Sequence, residues 1–224
     1  MKFTIGFLTL VAAVSAQPLP QLRIEPVDAG SVIYIKNVSA IPLTAFLLEL
    51  VDYPGSSYTY FRDELATGGI PPGVEKSYRV TNMTIGASPD YVKVQAAVYQ
   101  DGSSSGIPAK VSLILARRRA TLQATRDLIE RIEKDGTSKE KLSAEFKQWA
   151  DLKKPARGVK LTSPEGARLD AAYETVSSAI QMLNDHSVED TLRNLRETEK
   201  ALAVSRPPAS HRGGRHICLP NILT

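Results

Sequence analysis

The segment GSSSG at residues 102–106 matches the G-x-S-x-G pattern that carries the nucleophile of many serine hydrolases. In that chemistry the central serine, here Ser104, attacks a carbonyl carbon with the help of a carboxylate and then a histidine later in the chain. The available histidines lie at a predicted helix break and in the C-terminal tail, and the nucleophile needs a parallel α/β sheet that this sequence does not predict. We therefore expect a flexible turn at this segment and keep a serine hydrolase as an alternative.

The only cysteine, Cys218, lies close in sequence to His211 and His216. Thiolate and imidazole are ligands that zinc and copper accept. A metal site also needs neighbouring groups that orient its ligands, whereas the surrounding segment is rich in proline, glycine and arginine and predicts a disordered tail. We therefore expect no metal site and no cofactor. A single thiol cannot close an intramolecular disulfide, so its remaining role is a cross-link to a partner or none.

Three consecutive arginines, Arg117, Arg118 and Arg119, begin a long predicted helix. Acidic residues alternate with further arginines along the same helix, which predicts a solvated face with ion pairs between residues four apart. Nucleic-acid binding is instead typical of a stripe of one charge sign, so we expect no nucleic-acid partner. The arginines remain candidates for partner binding, and attraction to an anionic envelope surface is an alternative function.

Tyr53, Tyr58 and Tyr60 lie on both sides of a predicted loop. Exposed tyrosines are common in surfaces that bind proteins or sugars. Alternating tyrosines are also ordinary residues of a half-buried strand. Both interpretations stay open, and these three residues join the arginines as candidates for partner binding.

The N-terminal sixteen residues predict export. A lysine precedes an apolar run at residues 3–14, and the small residues VSA at 14–16 form a cleavage site before Gln17. The run is too short to cross a membrane, which takes about 20 residues. We expect cleavage after Ala16 and a periplasmic or extracellular protein. The tripeptides at residues 37–39 and 82–84 match the glycosylation sequon, which matters only in a eukaryotic secretory pathway.

Composition predicts a globular protein with two dissimilar halves. Of the 224 residues, 42% are hydrophobic and 23% are charged, which excludes disordered, collagen-like and disulfide-rich classes. Residues 17–110 contain nine aromatic residues and nine prolines, with 7 Lys and Arg against 9 Asp and Glu. Residues 111–224 contain three aromatic residues, with 20 Lys and Arg against 15 Asp and Glu. No later segment approaches 18 apolar residues, so we expect no transmembrane segment.

The first half predicts antiparallel strands separated by turns. Short β-prone runs recur without a helix-length periodic segment between them, at residues 22–27, 31–36, 42–51, 58–61, 74–80 and 90–99. This spacing favours a β-sandwich over an α/β fold. The segments KNVS at 36–39, PLTAF at 42–46 and PPG at 71–73 resemble extracytoplasmic bacterial immunoglobulin-like domains, in which a proline-glycine loop commonly opens a late strand. That resemblance implies a fold and export but no activity.

The second half predicts amphipathic helices. Apolar residues recur at spacings of three and four along residues 111–134, 138–153, 164–183 and 188–204. Ser163 before Pro164 is typical of a helix start, and Ser187 begins a second capping pattern. Because each helix has one apolar face, the helices must pack together as a hairpin or bundle.

We therefore expect an α+β protein in four segments. Residues 1–16 are a signal peptide, 17–110 an immunoglobulin-like β-sandwich, 111–204 a helical region and 205–224 a disordered basic tail. The expected function is that of a non-enzymatic binding or structural module that contacts a protein or envelope component.

Overall fold

A computed structural model describes residues 17–28, 30–52, 56–81, 91–135, 138–156 and 162–204. The chain divides into two compact units, with the boundary between Ile114 and Leu115. The predicted signal peptide, the tail with His211, His216 and Cys218, and the candidate Tyr53 lie outside the described residues.

The first unit contains two antiparallel sheets. The strands are β1 (Gln21–Val27), β2 (Gly30–Lys36), β3 (Leu43–Asp52), β4 (Ser56–Asp63), β5 (Glu75–Thr81), β6 (Tyr91–Tyr99) and β7 (Ser104–Gly106). One sheet has the order β1-β2-β5 and the other has the order β4-β3-β6-β7. This arrangement confirms the predicted antiparallel β structure and is compatible with a β-sandwich.

A single apolar core fills the space between the inner faces of the two sheets. In β2, Ile33 and Ile35 are buried while Val32 and Tyr34 are only half-buried, which is the alternation expected of a strand with one face in a core. The ring of Phe46 in β3 lies 5.4 Å from that of Tyr78 in β5, edge to face, so the contact joins the two sheets.

A buried asparagine joins the loops at one end of this unit by hydrogen bonds. Asn37 has no exposed surface, and its Nδ2 donates hydrogen bonds of 2.8 Å to the carbonyl oxygens of both Ile41 and Ile70. Its Oδ1 accepts from the backbone N–H of Ser39 at 3.0 Å and from the Ser39 hydroxyl at 2.8 Å. Both amide hydrogens and the amide oxygen are therefore used, as a buried amide requires.

The same geometry explains the first of the two sequons. A glycan would replace one of the two bonded hydrogens on Asn37 Nδ2 and would place a bulky polar group at a position without exposed surface. In the folded chain the NVS motif is therefore a structural element and not an acceptor site. The second sequon, at residues 82–84, lies outside the described residues.

The helices are α1 (Pro108–Asp135), α2 (Lys139–Lys153), α3 (Pro164–Asp185) and α4 (Val188–Val204). The predicted start of α3 is confirmed, because Ser163 accepts a hydrogen bond from the N–H of Gly166 at 3.0 Å with Pro164 in the first turn. The Ser187 hydroxyl accepts from the N–H of Asp190 at 3.0 Å at the start of α4.

All four helices contribute to one apolar core in the second unit. The buried members are Ala124, Leu128, Ile129, Ile132, Leu142, Phe146, Trp149, Ala150, Val176, Ala179, Leu183 and Leu195. Each fully buried leucine or isoleucine contributes about 2 kcal/mol, so this shared core stabilises helices that would be marginal alone. Among the described residues, no helix combines the length and the apolar character needed to cross a membrane.

The Asn37 network gives a testable expectation for stability. Asn37→Ala removes the amide that donates to Ile41 and Ile70 and accepts from Ser39, so we expect the free energy of unfolding to fall by about 3 kcal/mol. Urea denaturation followed by circular dichroism measures this loss. The control is Asn184→Ala, at an exposed position of α3, which should change stability by less than about 0.5 kcal/mol. Equal effects of the two substitutions would contradict the role assigned to Asn37.

Candidate functional site

The GSSSG segment is divided between a turn and a strand. The turn is confined to residues 101–103, where Gly102 has a φ of 83° and Asp101 Oδ1 accepts from the N–H of Ser103 at 2.9 Å and from its hydroxyl at 2.6 Å. Ser104 begins β7 and lies opposite Val98 of β6. The prediction of a flexible turn over the whole segment was therefore wrong for its second half.

Gly106 and Ser105 of the same segment have structural roles. The backbone of Gly106 has a φ of 101°, and a Cβ atom there would lie 2.3 Å from the carbonyl oxygen of Gln95. Only glycine allows β7 to approach β6 so closely. The Ser105 hydroxyl donates a hydrogen bond to the carbonyl oxygen of Gln17. Over the part of the chain that the structure describes, no hydrogen bond joins these serines to a histidine, and the sheet around them is antiparallel.

The candidate tyrosines Tyr58 and Tyr60 lie on β4 and pack against the core of the first unit. The ring of Tyr60 lies 6.5 Å from Phe46 and 6.4 Å from Tyr78, between centroids. Burial raises the pKa of the Tyr60 hydroxyl. The geometry therefore favours packing over partner binding for these two residues.

A buried carboxylate that no sequence pattern singled out lies beside the rings of Tyr60 and Tyr78. Glu64 follows β4 and has a side chain that is 4% exposed. It accepts from Lys76 Nζ of β5 at 2.5 Å, from Arg62 Nε at 3.2 Å and from the Thr67 hydroxyl at 2.9 Å. The Lys76 contact crosses from one sheet to the other. Arg62 and Lys76 also lie over the Tyr78 ring, at 5.4 Å and 5.9 Å from its centroid.

The electrostatics of Glu64 are those of a fixed anion. Burial alone would raise its pKa, but hydrogen bonds from Lys76 and Thr67 outweigh burial and hold the pKa below its ordinary value. Burial and the neighbouring Glu64 charge raise the pKa of Tyr78. A general base needs a pKa near the working pH and a free lone pair directed at a substrate. The oxygens of Glu64 instead accept hydrogen bonds from Arg62, Thr67 and Lys76. The arrangement therefore suits the joining of the two sheets.

The three consecutive arginines of α1 do not share one environment. Arg117 and Arg118 are 8% and 6% exposed, and Arg119 is exposed. The guanidinium of Arg117 contacts Asp170 Oδ2 and Glu174 Oε2 of α3, each at 2.5 Å. The two carboxylates are one helical turn apart, which allows one arginine to bind both. The predicted solvated face is therefore wrong for Arg117 and Arg118.

Other arginines of α1 also pair with neighbouring helices. Arg126 Nε lies 2.8 Å from Glu199 of α4, and Arg131 contacts Glu145 of α2. The Arg131 guanidinium also lies 4.7 Å from the ring centroid of Trp149. These pairs join different helices, whereas the charge pattern of the sequence predicts pairs within one helix.

The outer face of the three-stranded sheet carries an exposed polar group that we name the Arg23 cluster, formed by Arg23 and Glu25 of β1, Tyr34 of β2 and Glu75 of β5. The Arg23 guanidinium lies 3.4 Å from the centroid of the Tyr34 ring. Its Nη2 donates to Glu75 Oε1 at 2.8 Å, and it also contacts Glu25. The Tyr34 hydroxyl donates to Glu25 Oε2 at 2.7 Å.

The Arg23 cluster faces solvent, and hydrogen bonds link its members. The side chains of Arg23, Glu25 and Glu75 are 48%, 52% and 36% exposed. The hydrogen bond from Arg23 lowers the pKa of Glu75, and the bond to Glu25 raises the pKa of Tyr34. A cleft of about 270 Å³ adjoins the cluster, lined by Gln21, Leu22, Arg23, Lys36 and Glu75.

Within the described ranges, no group of three or more histidine, cysteine, aspartate or glutamate side chains is arranged to hold a metal ion. The candidates His211, His216 and Cys218 lie outside those ranges. Comparison of the chain with protein-family models, curated proteins and solved structures finds no match.

The close approach of β7 to β6 is tested by a pair of glycine substitutions. Gly106 and Gly68 both have positive φ, but a Cβ at Gly68 meets nothing within 4 Å. We expect Gly68→Ala to cost about 1 kcal/mol for its backbone conformation alone. Gly106→Ala should cost about 2 kcal/mol more, because its Cβ also meets the backbone of β6. Thermal unfolding measures both values, and equal losses would refute a steric role for Gly106.

The Glu64 contacts predict a pH dependence. Because the folded-state pKa of Glu64 lies below its ordinary value of 4.5, ionised Glu64 stabilises the fold above that pH. This stabilisation is lost as the pH falls through the lower, folded-state value. We expect wild type to be more stable than Glu64→Gln at neutral pH and this difference to shrink below pH 4.5.

Urea denaturation across the acid range measures that difference. Glu189→Gln, at an exposed position of α4, is the matched control and should differ little from wild type throughout. If the difference in the free energy of unfolding between wild type and Glu64→Gln stays constant with pH, the charge of Glu64 is not what stabilises the fold.

Proposed function

We propose that this chain is an exported, non-enzymatic binding module that contacts a protein partner through the outer face of its three-stranded sheet. The observation that carries the proposal is the Arg23 cluster, in which an arginine is stacked on a tyrosine and paired with two carboxylates at an exposed position. Arginine and tyrosine are enriched among the residues that dominate protein–protein affinity. Because these contacts restrain the side chains before a partner binds, binding costs less side-chain entropy.

The charge pattern of this face favours a protein over a membrane or a charged polysaccharide. Arg23, Lys36 and Arg79 are cationic, and Glu25 and Glu75 are anionic. An anionic membrane or polysaccharide gains little from such a mixture, whereas a protein surface of mixed charge complements it. The stacked Arg23 also covers one side of the Tyr34 ring, which leaves less of it for stacking on a sugar.

The strand order supports an immunoglobulin-like sandwich as the scaffold. Strands β1, β2 and β5 share one sheet, and β3, β6 and β7 share the other, as the corresponding strands of immunoglobulin constant domains do. The fourth strand differs, since β4 pairs with β3 whereas constant domains place it on the first sheet. The signal-peptide pattern at residues 1–16 supports a periplasmic or extracellular location.

The internal bonding of the remaining candidates supports a non-enzymatic role. Ser105 binds the carbonyl oxygen of Gln17, Gly106 allows β7 to approach β6, and Glu64 joins the sheets. The burial of Arg117 and Arg118 also removes two cations from any helix surface that would attract an anionic envelope. Among the described residues, the Arg23 cluster combines solvent exposure with an arginine stacked on an aromatic ring and paired with two carboxylates.

The proposal is tested with two tyrosine variants. The mature chain is immobilised and used to capture partners from an envelope extract of the source cells, and the affinity of the captured protein is then measured. Tyr34→Ser removes the platform for Arg23, so we expect binding to weaken about thirtyfold, which corresponds to about 2 kcal/mol. Tyr91→Ser, at a 52% exposed tyrosine of β6, is the matched control and should bind as wild type does.

Circular dichroism of both variants establishes that they fold. Equal affinity of wild type and folded Tyr34→Ser for every captured protein would refute the assignment of this face. An equal loss of affinity in Tyr34→Ser and Tyr91→Ser would show that the Arg23 cluster is not the contact.

A further inference from the structure

The segment from Gln17 to Pro20 is hydrogen-bonded to strands β6 and β7. The Ser105 hydroxyl of β7 donates a hydrogen bond to the carbonyl oxygen of Gln17, and the Tyr99 hydroxyl of β6 donates to that of Pro18. Pro20 is buried, and Gln17 is half-buried. Gln17 is therefore held against the sheet through its main-chain carbonyl.

Gln17 is also the residue that cleavage after Ala16 would leave at the N-terminus. We propose that Gln17 of the mature chain is converted to pyroglutamate. The inference rests on the proposed export, because the α-amine of Gln17 exists only after cleavage.

The conversion needs no oxidant, reductant or second substrate. The lone pair of the Gln17 α-nitrogen attacks its own side-chain amide carbon, Cδ. The bond from Cδ to Nε2 breaks, and the nitrogen leaves as ammonia with the proton given up by the amine. The new bond closes a five-membered lactam. An α-amine has a pKa of about 8, so a fraction of it is uncharged and nucleophilic at neutral pH.

The lactam keeps the contact that the structure shows at Gln17. Cyclisation uses the side-chain carbonyl and leaves the main-chain carbonyl free to accept from Ser105. The product also lacks the primary amine that aminopeptidases require.

The test uses the full chain, expressed with its own N-terminal segment in a secreting host. The exported protein is purified, incubated at neutral pH until its mass is constant, and its N-terminal peptide is sequenced by mass spectrometry. We expect a peptide that begins at residue 17, is lighter than the unmodified sequence by one ammonia, and does not react with amine-labelling reagents.

The other outcomes separate the two proposals. A peptide that begins at Gln17 and keeps its amine would overturn the pyroglutamate while leaving export intact. A chain that retains residues 1–16, or begins elsewhere, would overturn both. The matched variant is Gln17→Asn, whose amide is one methylene shorter and cannot close the five-membered ring. It keeps the main-chain carbonyl that Ser105 binds, and we expect it to retain a free, labelled amine.

Discussion

The buried amide of Asn37 is the constraint on which the order of the first unit depends. Strand β2 ends at Lys36, and the amide of the next residue binds the carbonyl groups of Ile41 and Ile70. Ile70 in turn exchanges two backbone hydrogen bonds with Leu43, at 2.9 and 2.8 Å. Leu43 begins β3 of the other sheet. One satisfied polar group therefore sets where strands of both sheets begin and end, which apolar packing, being non-directional, does not specify.

Glu64 and Arg117 place charged groups inside their units. Glu64 binds cations from two strands, and Arg117 binds two carboxylates of α3. Removing one partner from such a group is costly because the other charge is left partly buried. The Arg23 cluster has the same chemistry in a solvated position, where ion pairs contribute little to stability. The Arg23 cluster therefore adds little to the stability of the fold, in keeping with the binding role that we propose for it.

Sequence patterns predicted the elements well wherever a local signal exists. The alternation in β2 and β6 and the serine caps of α3 and α4 depend on neighbouring residues, so the predicted bounds lie within a few residues of the observed ones. Strand β7 was missed because Ser104 and Ser105 have low β-propensity and form a strand only by pairing with β6.

Sequence patterns do not predict contacts between residues that lie far apart in the chain. Arg117 and Asp170 are 53 positions apart, and no local pattern distinguishes an arginine buried by such a pair from a solvated one. The same holds for the Glu64–Lys76 contact between sheets. The sequon at Asn37 shows the converse error, since a short motif matches a modification site while the fold uses the same atoms internally.

The position of β1 at the edge of its sheet has a consequence for association between copies of the chain. An edge strand presents unpaired backbone groups that a strand of another molecule can extend, which is a route to aggregation. β1 carries Arg23 and Glu25 side by side, and Pro26 lacks the N–H that a further strand would need. The strand therefore discourages strand addition at its own edge, so the charged outer face of the sheet can be exposed without offering its backbone to a second sheet.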